Sequence, residues 1–269
     1  MSYSLKNLLN KYHISARKKW GQNWLIDNNV ISKIINLSGA KNNEVVEIGP
    51  GLGALTFSLV KVAKTITAYE IDPLSIKILQ AELSANNLKI VNEDFLKANF
   101  LWTKPCVLIG NIPYYITSQI IFKVLKNYDK FSQVTLTVQN EMADRLIAPI
   151  GSKHYGKLTV SVNYFASVQK HFIIKSNQFF PEPNVDSAVI TLTFKNNLQA
   201  RNHEAFLSFV KHCFTSRRKT LFNNLKLFVS GHAKINDILQ QMNLSSTIRP
   251  QELSVDNFLQ LYDFLTPTF

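Results

Sequence analysis

Glu44-Val45-Val46-Glu47-Ile48-Gly49-Pro50-Gly51-Leu52-Gly53 is the stretch on which the fold turns. Its first five residues are β-rich and stop at three glycines that alternate with Pro50 and Leu52. A strand ending in such a turn and leading into a helix-forming segment, here residues 54–63, opens a βαβ unit. Residues 65–71 are β-branched and alternating. Pro73 then opens a helix through about residue 85, since proline suits the first helical turn. Residues 88–91, 107–109 and 134–138 read as further strands, with a helix near 118–125 between the last two. Strands separated by helices of this length make a parallel sheet. Residues 158–165 and 187–194 read as two more strands, a hairpin closing the sheet.

After Asn196 the texture changes. Residues 203–214, 220–228, 233–242 and 255–265 carry helical periodicity and no strand pattern. The expectation is an α/β, Rossmann-like sheet domain over residues 1–195 and a small all-α domain over residues 196–269.

Composition narrows the partners. The 269 residues are 46% hydrophobic, enough for a sizeable core. No apolar run is long enough to span a membrane, and the first residues lack a signal-peptide pattern, so a cytoplasmic protein is expected. Cys106 and Cys213 lie far apart without metal-ligand spacing, and the six histidines have none either, so no metal is expected. Thirty basic against eighteen acidic residues give a formal charge of +12, which favours a polyanionic partner. Three stretches hold basic residues and no acid. Residues 1–26 carry Lys6, Lys11, Arg17, Lys18 and Lys19. Residues 145–181 carry Arg145, Lys153, Lys157, Lys170 and Lys175. Residues 205–236 carry Lys211, Arg217, Arg218, Lys219, Lys226 and Lys234. One phosphate-binding face and ordinary solvated surface are the two readings of that pattern.

The glycine turn is a poor pyrophosphate cradle, because its spacing is G-x-G-x-G and Pro50 lacks an N–H. It suits a cofactor without phosphates, such as S-adenosylmethionine, with Gly49 and Gly51 allowing close backbone approach. Glu47 is placed to bind the cofactor's ammonium. Glu70, at the end of the next strand, is placed to accept from two ribose hydroxyls. Asp94, after the third, is placed to accept from the adenine amino group, with Phe95 or Ile71 against the ring. The bland alternative is a structural turn beside solvated carboxylates.

Asn111-Ile112-Pro113-Tyr114 follows the apolar run Val107-Leu108-Ile109, so it lies at the carboxyl end of a buried strand, where open α/β sheets bind ligands. The Asn111 side-chain oxygen and a carbonyl in the Pro113 region are two acceptors, which is what an exocyclic NH2 requires. The N6 amine of adenine is a poor nucleophile because its lone pair is delocalised into the ring. Two acceptors on its hydrogens favour a more pyramidal nitrogen, and positioning supplies much of the rate. Positive charge developing on that nitrogen favours an adjacent ring face, with Tyr114 on one side and Phe179 a candidate on the other. Ordinary core packing is the alternative for both rings. A paired base is out of reach of such a site, so the target is unpaired or flipped out.

These motifs, in order, resemble the KsgA-type ribosomal RNA adenine dimethyltransferases over nearly the whole chain. Gly21-Gln22-Asn23-Trp24-Leu25 is similar to that family's G-Q-N-F-L segment, with Trp for Phe. Glu47 to Gly53 with Leu55-Thr56, then Glu70-Ile71-Asp72, Asp94-Phe95-Leu96 and Asn111–Tyr114, resemble its cofactor and catalytic motifs. Phe179-Phe180-Pro181-Glu182-Pro183-Asn184-Val185-Asp186-Ser187 is similar to its F-x-P-x-P-x-V-D-S stretch. Arg217-Arg218-Lys219-Thr220-Leu221 with Asn224-Leu225 resembles its helical-domain signature. Tyr115 occupies a position that varies in the family.

The resemblance implies that Asn23, Leu25, Gly49, Glu70, Asp94 and Asn111 line an S-adenosylmethionine site. It implies a substrate of two adjacent adenosines in a hairpin loop near the 3′ end of 16S rRNA, within the immature small ribosomal subunit, each methylated twice on N6. A monomer is expected. Arg217, Arg218 and Lys219 either bind RNA phosphates or cover a helix surface. Two other classes stay open. One is a large-subunit 23S rRNA adenine methyltransferase of the macrolide-resistance type, which shares the cofactor and catalytic motifs. The other is a non-catalytic assembly or transcription factor, against which the intact Asn111–Tyr114, Glu70 and Asp94 argue.

Overall fold

The expected parallel sheet forms, and its strand order fixes where a ligand can sit. The computed structural model describes residues 4–15, 21–200, 202–229 and 232–265; the expected basic residues Arg17, Lys18 and Lys19 lie outside them. The strands are β1 (Trp24–Leu25), β2 (Glu44–Ile48), β3 (Thr65–Glu70), β4 (Leu88–Asn92), β5 (Cys106–Asn111), β6 (Phe131–Gln139), β7 (Ala166–Ile174), β8 (Phe179–Phe180) and β9 (Ser187–Phe194). The helices are α1 (Leu5–Tyr12), α2 (Asn28–Leu37), α3 (Thr56–Leu59), α4 (Pro73–Glu82), α5 (Thr117–Lys126), α6 (Asn140–Leu146), α7 (Lys157–Phe165), α8 (His203–Cys213), α9 (Leu221–Leu225), α10 (His232–Gln241) and α11 (Val255–Leu265). None is long and apolar enough to cross a membrane.

The main sheet runs β4-β3-β2-β5-β6-β9-β7. Strands β4 to β6 are mutually parallel, and β9 pairs antiparallel with β6. Residues 107–109 of β5 are fully buried, as expected of a central strand covered on both faces. Successive strands go outward from β2 to β3 and β4, and the chain then returns to β2's other side with β5. The sheet's switch point is therefore the crevice between the carboxyl ends of β2 and β5. The register pairs Ile48 with Gly110, so the glycine turn and Asn111 leave the sheet side by side.

Local chemistry supports each connection. Asp72 caps α4 through the Leu74 N–H, with Pro73 in the first turn. Asp27 caps α2 through the N–H groups of Asn29 and Val30, and α2 buries Val30, Ile31, Ile34 and Ile35 in the core. A second, two-stranded ladder joins β1 to β8, pairing Trp24 with Phe180 and Leu25 with Phe179.

Two expectations are corrected. Residues 158–165 form helix α7, not a strand. Leu158, Thr159, Val160, Ser161, Val162, Tyr164 and Phe165 are all buried, so the helix shows no amphipathic stripe, and a short apolar run of this kind cannot be told from a strand by periodicity. The strand beside β9 is instead β7, whose many exposed positions hide its pattern. The domain division changes with it. One compact unit holds the chain up to Ala143 together with Val168–Phe194; the other holds Asp144–Ser167 together with the chain from Lys195. The second unit is thus not the continuous stretch 196–269. It takes in α7, where Tyr164 packs on Phe206 with ring centroids 4.5 Å apart and Phe206 in turn meets Tyr262.

Candidate active site

A cavity of about 450 Å³ opens in the first unit at the β2/β5 crevice. Its walls come from residues 21–24 before β1's end, the glycine turn, the ends of β3 and β4, and the segment 111–120. The glycine turn adopts the left-handed region at Gly49, Gly51 and Gly53, with φ of 63°, 54° and 91°. A Cβ on Gly49 would meet nothing within 4 Å, whereas one on Gly51 would lie 2.9 Å from Trp24 Nε1. Gly49 thus leaves open space on the cavity side, and Gly51 lets Trp24 lie against the turn.

The carboxylates behave differently from one another. Glu47 lines the cavity yet is only 1% exposed, and its Oε2 has no hydrogen-bond partner among the described residues. Burial pushes its carboxyl up to about 8, with the Glu70 charge adding to the rise. Glu70 is also buried, and its carboxylate is occupied by backbone. Oε2 accepts from Gly51 N at 2.9 Å, and Oε1 from Ile71 N at 2.8 Å and Asp72 N at 2.9 Å. Burial pushes its carboxyl upward, while those three amides work in the opposite direction. Glu70 therefore holds the glycine turn to β3's end and keeps only its remaining lone pairs for a ligand. Asp94, part-buried on the cavity wall, uses Oδ1 to accept Leu96 N at 2.9 Å. Beside it, Ile71 is 41% exposed on the cavity wall and Phe95 is buried edge-on to Tyr69.

Asn111 is oriented by a residue far away in sequence. Its Nδ2 donates to the Asn23 carbonyl at 2.8 Å. A carbonyl can only accept, so this bond fixes the amide with Oδ1 as the open acceptor at the cavity. Pro113's own carbonyl already takes Ile116 N–H and Thr117 Oγ1, each at 3.3 Å. Among the described residues, the carbonyl in the Pro113 region that receives no hydrogen bond is that of Ile112. Tyr114 is half-buried and shares a 2.7 Å hydrogen bond with Ser187 Oγ; burial holds its hydroxyl above the ordinary range. That bond ties the tetrapeptide to the last residue of the 179–187 stretch.

Three expected site residues are absent from the cavity wall: Leu25, Tyr114 and Phe179. Leu25 is fully buried and Phe179 is 2% exposed; both belong to the hydrophobic core through the β1–β8 ladder. Conversely, Gln22, Tyr115, Ile116 and Gln119 line the cavity without having been singled out for it. The signal for the last two was present: Ile116, Gln119 and Ile120 follow the i, i+3, i+4 spacing that shares one helix face.

The residues fit S-adenosylmethionine. An orphaned buried carboxylate oxygen suits an ammonium, the open Gly49 face suits close approach, and Ile71 with Asp94 offers an apolar wall beside an acceptor.

In the second unit, Asn224 is fully buried and spans the turn that carries the basic signature. Its side chain accepts from Ser216 N at 2.8 Å and donates to Ser216 O at 3.0 Å and Thr220 O at 3.2 Å. Arg217, Arg218 and Lys219 are exposed on that turn. They are not equivalent: Arg217 donates to the carbonyls of Ser152 and Lys153, whereas Arg218 and Lys219 project into solvent.

The family model described as ribosomal RNA adenine dimethylase matches residues 13–266. The chain is 44% identical to ribosomal RNA small subunit methyltransferase A of Mycoplasma mobile, over 91% of this chain and 96% of that one. The protein of the same name from Levilactobacillus brevis is 39% identical, over 95% and 92%. Among solved structures, a dimethyladenosine transferase from Plasmodium falciparum aligns with a TM-score of 0.81 at 26% identity, covering 91% of this chain and 98% of that one. The 23S rRNA methyltransferase ErmE aligns with a TM-score of 0.70 at 28% identity, covering 91% and 100%.

Proposed function

The chain belongs to the ribosomal RNA adenine dimethylase family and is an S-adenosylmethionine-dependent rRNA methyltransferase; from that premise we propose its substrate and the residues that act on it. The substrate is a pair of adjacent adenosines in a hairpin loop near the 3′ end of 16S rRNA, dimethylated on N6 within the immature small subunit. The protein works in the cytoplasm as a monomer and contributes to subunit assembly. The single observation that carries the chemistry is the locked Asn111 amide, whose open Oδ1 stands at the switch point beside the glycine turn.

S-adenosylmethionine supplies an electrophilic methyl group when bound. Glu47 holds its ammonium, Gly49 and Gly51 admit its backbone-facing edge, the free lone pairs of Glu70 take ribose hydroxyls, Asp94 takes the adenine amine, and Ile71 and Phe95 flank the ring. Asn23 acts by holding Asn111. Asn111 Oδ1 and the Ile112 carbonyl accept the two N6 hydrogens of the target adenine. Pro113 shapes that bend, and Tyr114, held by Ser187, offers its ring to the nitrogen as positive charge develops there. The excess proton leaves to solvent after transfer, so no general base is required. Arg218 and Lys219, on a turn stiffened by Asn224, contact RNA phosphates.

Identity over nearly full length to proteins named for the small subunit supports that subunit over the large one. The test is to incubate the protein with labelled S-adenosylmethionine and under-methylated small or large subunits, separately, and to map the product. N6,N6-dimethyladenosine near the 3′ end of small-subunit RNA is expected. Label confined to large-subunit RNA would move the protein to the resistance-type activity, and binding without label would favour a non-catalytic assembly role.

A further inference from the structure

We propose that Tyr115 is a stacking platform for the nucleotide next to the target adenosine, a role that rests on the proposed reaction. Tyr115 lines the cavity and is 63% exposed, so it presents an aromatic face at the mouth. Its neighbour Tyr114 is half-buried and tied by its hydroxyl to Ser187, and Phe179 is in the core. Of the aromatic residues that line the cavity, Trp24, Tyr69 and Phe95 are buried, so the aromatic surface a second base can meet on this wall is Tyr115.

The ring is seated, not dangling. Gly21 adopts φ of 59°, and a Cβ there would lie 3.1 Å from Tyr115 Cε1 and 3.2 Å from Pro113 Cβ. Gly21, Pro113 and the Tyr115 ring thus meet at one corner, and the absence of a side chain at Gly21 gives the ring its place. Gly21 lies two residues before Asn23, whose carbonyl locks Asn111. The platform and the acceptor are consequently built on the same two segments.

Volume assigns the ligand. A cavity of about 450 Å³ lies toward the low end for ligand sites, so it leaves little room for a second base beside the cofactor and the target. When the target adenine is inside, the adjacent nucleotide of an unpaired strand stays at the mouth. Aromatic stacking is how single-stranded RNA is gripped without reading its sequence.

The experiment combines kinetics with a deletion on the RNA. With under-methylated small subunits, Tyr115→Ala is expected to raise KM for the subunit about tenfold, the scale of one lost base stack. It should leave kcat and the Kd for S-adenosylmethionine within about twofold, and Tyr115→Phe should restore KM while Tyr115→Leu should not. In parallel, Kd is measured for a labelled RNA hairpin carrying the target step, intact or abasic at either neighbouring nucleotide. Wild-type protein should lose affinity for one abasic hairpin, and Tyr115→Ala should bind that hairpin and the intact one alike. An unchanged KM in Tyr115→Ala, or equal further losses on the abasic hairpins, overturns the proposal while the enzyme remains active. A wild-type protein that methylates neither subunit overturns instead the reaction on which it rests.

Discussion

Replacing Glu47 with Gln should make the cofactor-free protein progressively more stable than wild type as pH rises. The side chain keeps its shape and loses its titration. Glu47 is buried, has an unpartnered Oε2, and has its carboxyl raised from an ordinary 4.5 to about 8. An acid whose folded pKa is raised binds its proton more tightly folded than unfolded. Its contribution is therefore neutral below about 4.5, is lost progressively above it, and the loss is complete beyond about 8. At about 1.4 kcal/mol per pH unit, the full linkage is roughly 2 kcal/mol at pH 6 and 4 kcal/mol at pH 8. Local relaxation and water entry reduce it, and half of the pH 8 figure still moves Tm by roughly 4–8 °C. The buried Gln amide adds an offset of about 1–3 kcal/mol, but that offset does not vary with pH. The assay is thermal melting of both proteins from pH 5 to 8.5, without and with saturating S-adenosylmethionine. The Tm difference should climb in favour of Glu47→Gln up to pH 8. Cofactor, whose ammonium favours the carboxylate, should flatten the wild-type dependence and do little for the variant. A Tm difference that stays constant across this range would refute the reasoning.

Gly51→Ala places a methyl 2.9 Å from Trp24 Nε1 at a φ of 54°. It should cost about 1–3 kcal/mol in apo stability, read as a lower Tm, and should weaken cofactor binding as Trp24 is displaced. Arg218→Ala should reduce the slope of log K against log salt for RNA binding by about one contact. Arg217→Ala should instead speed amide exchange in residues 149–154, because its guanidinium bonds the Ser152 and Lys153 carbonyls; unchanged exchange there would show that the tie is unimportant.

Much of this was legible in the sequence because it is local. Glycines, prolines and acids at strand ends mark where the chain must turn, and those ends are where the cofactor wall forms. The strands bearing Glu47, Glu70 and Asn111 were readable for that reason, and the open Gly49 face follows from the same turn. Helix α7 was not, since burial on all sides erases its periodicity. The core placement of Leu25 and Phe179 depends on the β1–β8 pairing between segments that no local signal connects. The orientation of Asn111 likewise depends on Asn23, 88 residues earlier. Arg217 looked like its two neighbours because residue type does not reveal the carbonyls of Ser152 and Lys153 beside it. Tyr115 carries no motif signal of its own, and its exposure at the cavity, which marks it as a residue that meets a substrate, appears only in the fold.

The central claim is that Asn111, oriented by Asn23, drives methyl transfer to adenine N6. The direct measurement is single-turnover transfer from S-adenosylmethionine to under-methylated small subunits by Asn111→Ala, with cofactor Kd taken on the same preparation. The account predicts cofactor binding retained in part and transfer reduced by at least about a hundredfold, the scale for removing a positioned transition-state partner. Undiminished turnover in that variant would contradict it.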